Sequence, residues 1–403
     1  MIRLYDPGLK EACREFLEYS PQANYCHDPV WAEVIKEAYN KEAFILVHTD
    51  PATGEVRGMV PACHLSSAAF GRDLVCLPYL DYGGILARDR ESEDLLRDRL
   101  ITEAISRRSK LEIRSREPLC GLPTPKDEKV SMILPLAQQD LLSFDGNWHG
   151  VPEAFAAKRA TRVETAMEAA SSGSEWTAIA DSELETLSKV QPAFQGPLNA
   201  DSYWKGLDAK VRNQVRKAEK SGVTVVWGRE ELLSDFYEVF CINMRDLGSP
   251  THARGFFEAV LRHFPGAQVG AAYREGKCIG GLFRILWKNE LVIPWASTLK
   301  EERIYCPNNA LYWESILFAF DQGCSRVDFG RSTRDEGTYR FKKQWQAREL
   351  PLYRYQFDEK GHFLEQSWHV TQGKLGWTRT IWAKLPLKLA NSLGPMVRGS
   401  ISA

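Results

Sequence analysis

The chain has 403 residues, more than one hydrophobic core usually organises, so two domains are expected. Apolar residues at 44% and charged residues at 26% exclude a largely disordered chain. A formal net charge of -1 confines any basic surface to a local patch and argues against a bulk nucleic-acid binder, DNA included.

Hydrophobic periodicity arranges residues 1–138 as alternating strands and helices. Residues 43–48 (AFILVH) and 59–65 read as strands joined through the turn DPATGEVRG, and residues 74–79 as a third strand. That third strand ends in LDYGG, where two glycines permit a tight backbone. ESEDLLRDRLITEAISRR is spaced as an amphipathic helix, with Leu95, Leu96, Leu100 and Ile101 on one face. LEIRSR and VSMILPL are expected to close this first unit.

Residues 139–200 differ in kind, being rich in Ala, Ser and Glu around the break SSGS, and read as a helical insertion or linker. The order of the first unit then returns within 201–360. Residues 268–273 form a strand, REGKCIGG a turn, 282–287 and 291–295 two more strands, and NNALYWESILFAFDQG a helix. VDFGRS takes the place of LEIRSR. The matched glycine turns and strand–helix spacing mark an internal repeat. Residues 361–403 carry Trp368, Trp377 and Trp382 among Lys374, Arg379, Lys384, Lys388 and Arg398, with no acidic residue from 366 onward. Such a tail suits an interfacial helix on anionic lipid, or a helix that packs its aromatic side on the first unit. Pro386 shortens the helix and no lipidation motif follows, which favours packing.

Nine cysteines stand singly with no C-x-x-C pair, which argues for a reducing compartment and against a disulfide framework. Eight histidines without H-x-x-x-H spacing give no support to a metal centre. The opening MIRLYDPGLKEACREF has no apolar signal region and no stretch approaches about 18 apolar residues. A cytoplasmic protein is expected, with peripheral contact on the inner face of the membrane if the tail is interfacial.

Three segments concentrate chemistry. In YWKGLDAKVRNQVRKAEKSGVTVVWG, Leu207, Val211, Val215 and Ala218 make a buried helical stripe, while Arg212, Arg216 and Lys220 align at i, i+4 and i+8 beside Lys217. Like charges at that spacing repel, so the row is either a solvated face or a seat for phosphate. In CPNNALYWE, Asn308 and Asn309 follow Pro307 at a helix start, where exposed amides attract anions or are simply capped. In VDFGRSTRDEGTYRFKKQW, a strand ends at Asp328 and a polar loop gathers Arg331, Asp335, Glu336, Tyr339, Lys342 and Lys343. Titratable groups of both signs in one loop suit proton transfer and charge stabilisation, or a self-compensating set of surface ion pairs.

The strings KVRNQVRKAEKSGV, PNNALYWE and VDFGRST with GTYRFKKQW resemble FemAB-related proteins of bacterial exopolysaccharide and PEP-CTERM (exosortase) loci. DPVWAEVIKEAY, PACHL and LPYLDYGG resemble the matching acetyltransferase-type lobe. The resemblance covers residues 25–137 and 201–358. It implies an α/β fold with mixed sheets, in two tandem GNAT-like lobes, 1–138 and 201–360. The 139–200 insertion is longer than the connection in those relatives. The first lobe, lacking an RFKKQW equivalent, is expected to be structural or to serve the acceptor, and the second to be active.

The resemblance also implies an enzyme that moves an acyl or aminoacyl group onto an amine, in exopolysaccharide or cell-envelope biosynthesis. Fem ligases pass an amino acid from aminoacyl-tRNA to a peptidoglycan-precursor amine, with a Phe-Lys pair by the acceptor end of the tRNA. Phe341 and Lys342 match that pair. No tRNA-binding helical arm is evident, so the donor is aminoacyl-tRNA or acyl-CoA, with no tightly bound cofactor. The acceptor is a small molecule or a lipid-linked glycan or peptide. Direct attack by an amine on a thioester or ester needs positioning, a proton acceptor and oxyanion stabilisation, but no enzyme nucleophile. Lys342 is expected to stabilise charge, and Asp328, Asp335, Glu336 and Tyr339 to handle protons. Arg212, Arg216 and Lys217 would hold phosphates, with Asn308, Asn309, Arg331, Phe341 and Lys343 contacting substrate. Two alternatives stand beside this reading. An acyl-CoA enzyme acting on an amino sugar or lipid-linked saccharide would normally show a glycine-rich pyrophosphate loop, where this chain has YCPNNAL. The other is a binding module of a polysaccharide assembly system without catalysis.

Overall fold

A computed structural model describes residues 1–123, 126–137, 199–365 and 379–402. The expected insertion, apart from its last two residues, and Trp368 and Trp377 of the tail lie outside the described residues. The first half runs β1 (Ile2–Leu4), α1 (Lys10–Tyr19), α2 (Val30–Tyr39), β2 (Glu42–Thr49), β3 (Val56–Ser67), β4 (Gly71–Val75), β5 (Leu86–Ala87), α3 (Arg90–Ser106), β6 (Lys110–Ser115) and β7 (Lys126–Pro135). The second half opens with α4 (Ala200–Gly206), α5 (Ala209–Lys220), β8 (Thr224–Gly228), α6 (Leu233–Asp246) and α7 (Arg254–His263). It continues through β9 (Ala267–Arg274), β10 (Lys277–Trp287), β11 (Glu290–Thr298), α8 (Pro307–Asp321), β12 (Arg326–Thr333), α9 (Gly337–Lys343) and β13 (Arg348–Phe357). The helix α10 (Leu387–Arg398) lies in the tail.

Local chemistry explains where these elements start and stop. Asp89 caps α3 by accepting from the Ser92 amide, and Leu96, Leu100 and Ala104 at i, i+4 and i+8 form its buried stripe. Leu95, expected on that face, is 41% exposed, because one residue turns the helix by about 100°. Strand β4 stops at Val75 rather than continuing to Tyr79. Leu77 and Tyr79 take left-handed φ values of 59° and 74°, which no strand accommodates.

Among the described residues the strands form one mixed sheet, ordered β1-β2-β3-β4-β6-β13-β7-β12-β11-β10-β9-β8, with β5 paired to β3. Its centre departs from the sequence reading. VSMILPL does not close the first unit: β7 pairs antiparallel with β12 of the second half, placing Ile133 opposite Asp328. In exchange, β13 pairs antiparallel with β6, placing Tyr355 opposite Ile113. The two exchanged strands also pair with each other, so each supplies the other's open edge.

Each half contains one parallel pair joined by a crossover helix. β4 and β6 pair from Asp73↔Lys110 to Val75↔Glu112. β11 and β12 pair only from Glu290↔Arg326 to Val292↔Asp328, after which no ladder joins them and a wedge opens. The halves meet on an apolar face. Trp31 of α2 packs 4.8 Å from Phe264 and stacks on Phe256 of α7. Both tryptophan partners belong to one buried cluster that spans the halves and includes Leu77, Leu80, Phe240 and Phe283.

Candidate active site

The wedge between β11 and β12 opens into a cleft of about 160 Å³ at the junction of the halves. Tyr79 and Asp81 come from the first half, His252, Trp295 and Arg331 from the second, and Arg398 from α10. This volume suits the reacting end of a substrate rather than a whole one, since complete ligand pockets run to about 300 Å³ or more.

Asp81 and Arg331 make the polar floor. The Asp81 carboxylate accepts from the Arg331 backbone amide at 2.8 Å and pairs with its Nε at 2.9 Å. The contact is possible because Gly330, at φ 72°, bends β12 toward the first half. A Cβ there would lie 3.0 Å from Asp81 Oδ2. Lys342 sits beneath this turn, 8% exposed, and donates to the carbonyls of Gly330 at 3.1 Å and Arg331 at 2.9 Å. Burial lowers its pKa to about 8, against the charges of Asp81 and Asp328, which favour the ammonium.

Asp328 lies deeper and is fully buried. Its Oδ1 accepts from Ser131 at 3.0 Å and from the Gly330 amide at 2.7 Å. Its Oδ2 is met by the Tyr82 hydroxyl and the Arg116 guanidinium, which also lies 3.9 Å over the Tyr82 ring. Burial pushes this carboxyl up while Arg116 pulls it down. Three donors from other strands and loops, with the Gly330 amide of its own strand, occupy its lone pairs, so it fixes the Gly330 turn and presents no free oxygen to the cleft. Asp328, expected to handle protons, thus lies behind the cleft with both oxygens engaged.

The other expected residues are distributed more widely. Asp335 and Glu336 are exposed on the turn before α9, where the Asp335 carbonyl accepts from Arg340 at 2.7 Å, and neither lines the cleft. Tyr339 is buried and donates to Glu349, which Arg334 also engages at 2.8 Å, and Lys343 donates to the Tyr339 hydroxyl at 3.2 Å. Phe341 meets the Tyr312 ring edge-on at 4.9 Å. In the basic helix α5, Arg212 donates to the carbonyls of Lys205 and Leu207, both at 2.8 Å, and so caps α4. Arg216 lies 5.5 Å over Trp204, and Lys217 is exposed. Asn308 accepts from Thr298, and Asn309 donates to Gln214 at 3.3 Å. The structure therefore gives Arg212, Asn308 and Asn309 structural occupations and brings Arg331, Lys342 and Asp328 together.

Three residues that the sequence did not single out complete the site. Asp81 stands in LPYLDYGG, whose paired glycines were the available signal. Tyr82 and Arg116 carry no local signal, because their partner Asp328 is more than two hundred positions away in sequence. His252 is fully buried, stacks 4.6 Å from Phe256, bonds the Tyr39 hydroxyl at 2.8 Å through Nδ1 and receives Arg398 Nε at 3.3 Å on Nε2. Its burial lowers its pKa well below the ordinary value, so it is neutral. Among the described residues there is no cluster able to hold a metal ion and no helix long and apolar enough to cross a membrane.

Residues 207–343 match the family model of the acetyltransferase (GNAT) domain. The chain is similar in structure to FemX, with 14% identity, a TM-score of 0.55, and coverage of 94% of this chain and 100% of that one. It is also similar to L-PGS from Bacillus licheniformis (10% identity, TM-score 0.47, 93% of this chain and 97% of that one). A tandem GNAT protein from the clavulanic acid biosynthesis pathway matches with 9% identity and a TM-score of 0.45, over 89% of this chain and 98% of that one. No curated protein matches the sequence. Wedge, crossover helix and the family match over residues 207–343 mark the second half as a GNAT-type fold. The likeness to FemX, at 14% identity, is one of fold.

Proposed function

We propose that the cleft transfers an acyl or aminoacyl group from a thioester or ester donor to an amine. The observation that carries this reading is the parted β11–β12 pair with Asp81 and Arg331 at its mouth and Lys342 beneath it. The donor carbonyl enters the wedge, where strand ends leave backbone groups without a ladder partner. Asp81 receives the incoming ammonium and takes its proton. Arg331 and the Lys342 charge stabilise the oxyanion that forms as the amine attacks; as it collapses, the attacking nitrogen releases its second proton to solvent, and the leaving thiolate or alkoxide takes one up from solvent. Asp328, Tyr82 and Arg116 act as positioning residues, holding the Gly330 turn.

Aminoacyl-tRNA and acyl-CoA are both admitted as donors, and the resemblance to Fem ligases through Phe341 and Lys342 favours the first. The same resemblance supports exopolysaccharide or cell-envelope biosynthesis, as in PEP-CTERM loci, with a lipid-linked glycan or peptide as acceptor and work done on the cytoplasmic side. Thermal-shift measurements with acetyl-CoA, longer acyl-CoAs and aminoacyl-tRNA test this. A ligand at a hundred times its Kd stabilises by about 2.7 kcal/mol, enough to move the transition visibly. We expect one donor class to stabilise the wild type and Asp81→Asn to retain that shift while losing transfer. Stabilisation by none of them would favour a non-catalytic binding module.

A further inference from the structure

The tail helix α10 borders the cleft through Arg398, at its C-terminal end. Helix α10 turns its smallest residues inward. Ala390 is 2% exposed, and a Cβ at Gly394 would come within 3.0 Å of the Thr251 backbone. At its end the Tyr79 hydroxyl donates to Gly399 at 3.1 Å, and Arg398 reaches His252. The tail therefore docks on both halves, not on the first alone, and it docks through small residues.

Its largest apolar residues point the other way. Leu389, Leu393 and Met396, at i, i+4 and i+7, are 45%, 39% and 71% exposed. Ile381 is 52% exposed in the same segment. Leu247, 54% exposed at the end of α6, adjoins it, because Gly248 packs on the Arg379 backbone. Single exposed leucines are ordinary, but a row that turns outward while glycine and alanine turn inward is not. Lys384 and Lys388 are exposed beside the row, and residues 366–403 contain five Lys and Arg and no Asp or Glu. The row on the tail is flanked by lysines, and Asp246 beside Leu247 is paired with Arg245 at 2.7 Å; this pattern matches an anionic bilayer surface, where the apolar face enters the headgroup boundary and the lysines meet phosphate.

We propose that this face docks the protein on an anionic phospholipid surface. Because the same helix borders the cleft, docking brings the cleft to the lipid–water boundary, so the amine acceptor is an amphiphile. That last step rests on the transfer reading, and the docking itself does not.

Sedimentation of the full chain with vesicles of phosphatidylcholine alone, or of phosphatidylcholine with phosphatidylglycerol, tests the proposal. We expect binding to the mixed vesicles only, weakened by salt. The triple variant Leu389→Gln, Leu393→Gln, Met396→Gln should bind at least about tenfold more weakly while keeping the circular-dichroism spectrum and cooperative unfolding of the wild type, because the inward contacts of α10 run through Ala390 and Gly394. The proposal is overturned if the wild type stays in the supernatant with mixed vesicles, or if the triple variant sediments as the wild type does. It is equally overturned if the wild type forms a dimer that the triple variant dissociates, which would assign the face to a second copy. Vesicle binding without transfer activity would leave docking intact and remove the transfer reading, and the converse result would do the reverse.

Discussion

At the scale of single residues the proposed transfer turns on the protonation of Lys342. Burial moves its pKa from 10.5 to about 8, against the charges of Asp81 and Asp328, so the ammonium predominates at neutrality and is lost just above it. Only the ammonium can stabilise a developing oxyanion. We therefore expect kcat to fall as pH rises through about 8, the direction in which a lysine with a lowered pKa loses its proton. Lys342→Ala should lower kcat by on the order of 10² and abolish that alkaline limb. A pH–rate profile of both proteins checks this, and near-normal turnover by the variant would remove Lys342 from the site. The contrast with Arg212 is instructive. Its guanidinium is spent on the carbonyls of Lys205 and Leu207, so Arg212→Ala should cost helix stability before it costs donor affinity.

At the scale of elements, the turn between Leu80 and Gly84 decides whether Asp81 reaches Arg331. A Cβ at Gly84 would lie 2.8 Å from the Arg114 carbonyl and 2.9 Å from Ser115 Cβ. Neither neighbour can give way without moving β6, so Gly84→Ala should destabilise by about 1–3 kcal/mol, read as a lower denaturant midpoint at unchanged slope. This turn was legible in LDYGG because only a backbone requirement explains adjacent glycines after an apolar strand. The repeated order of strands and the buried stripe Leu207, Val211 and Ala218 were legible for the same kind of reason, since periodicity reports which face is buried. Partner choice is another matter. β7 and β13 have the same apolar character whichever neighbour they pair with, so their exchange left no mark in the pattern. Asp328, expected at a strand end, instead stands inside β12, at the position where the ladder with β11 stops. What it faces depends on Arg116 and Tyr82, which only the exchanged topology brings near.

At the scale of the whole molecule the exchange ties the halves into one unit, and a single carboxylate shows how. Glu112 on β6 pairs with Arg114 at 2.6 Å and accepts from Gln356 of the exchanged β13 at 2.9 Å, with Arg354 of the same strand 3.7 Å away. Arg114 in turn donates to the Leu80 carbonyl at 3.0 Å and reaches Ser402 in the tail. Although burial opposes it, Arg114 and Arg354 hold the Glu112 pKa down to about 2, from an ordinary 4.5. A carboxylate with a lowered folded pKa stabilises fully above its unfolded value, and that contribution is lost as pH falls toward the folded one. Glu112 should thus supply on the order of 3 kcal/mol above pH 4.5 and lose it between pH 4.5 and about 2. Asp73 opposes this, since burial and the Glu112 charge raise its pKa to about 6, so acidification relieves it first. Glu112→Gln separates the two. The variant should be less stable than the wild type at neutral pH, and the gap should close as pH approaches 2. Both proteins should unfold in one transition by near-ultraviolet and far-ultraviolet dichroism, because an exchanged strand cannot be lost from one half alone. A constant gap across that range would mean that Glu112 does not clasp the exchanged strand through its charge, and two separate transitions would mean that the halves fold independently.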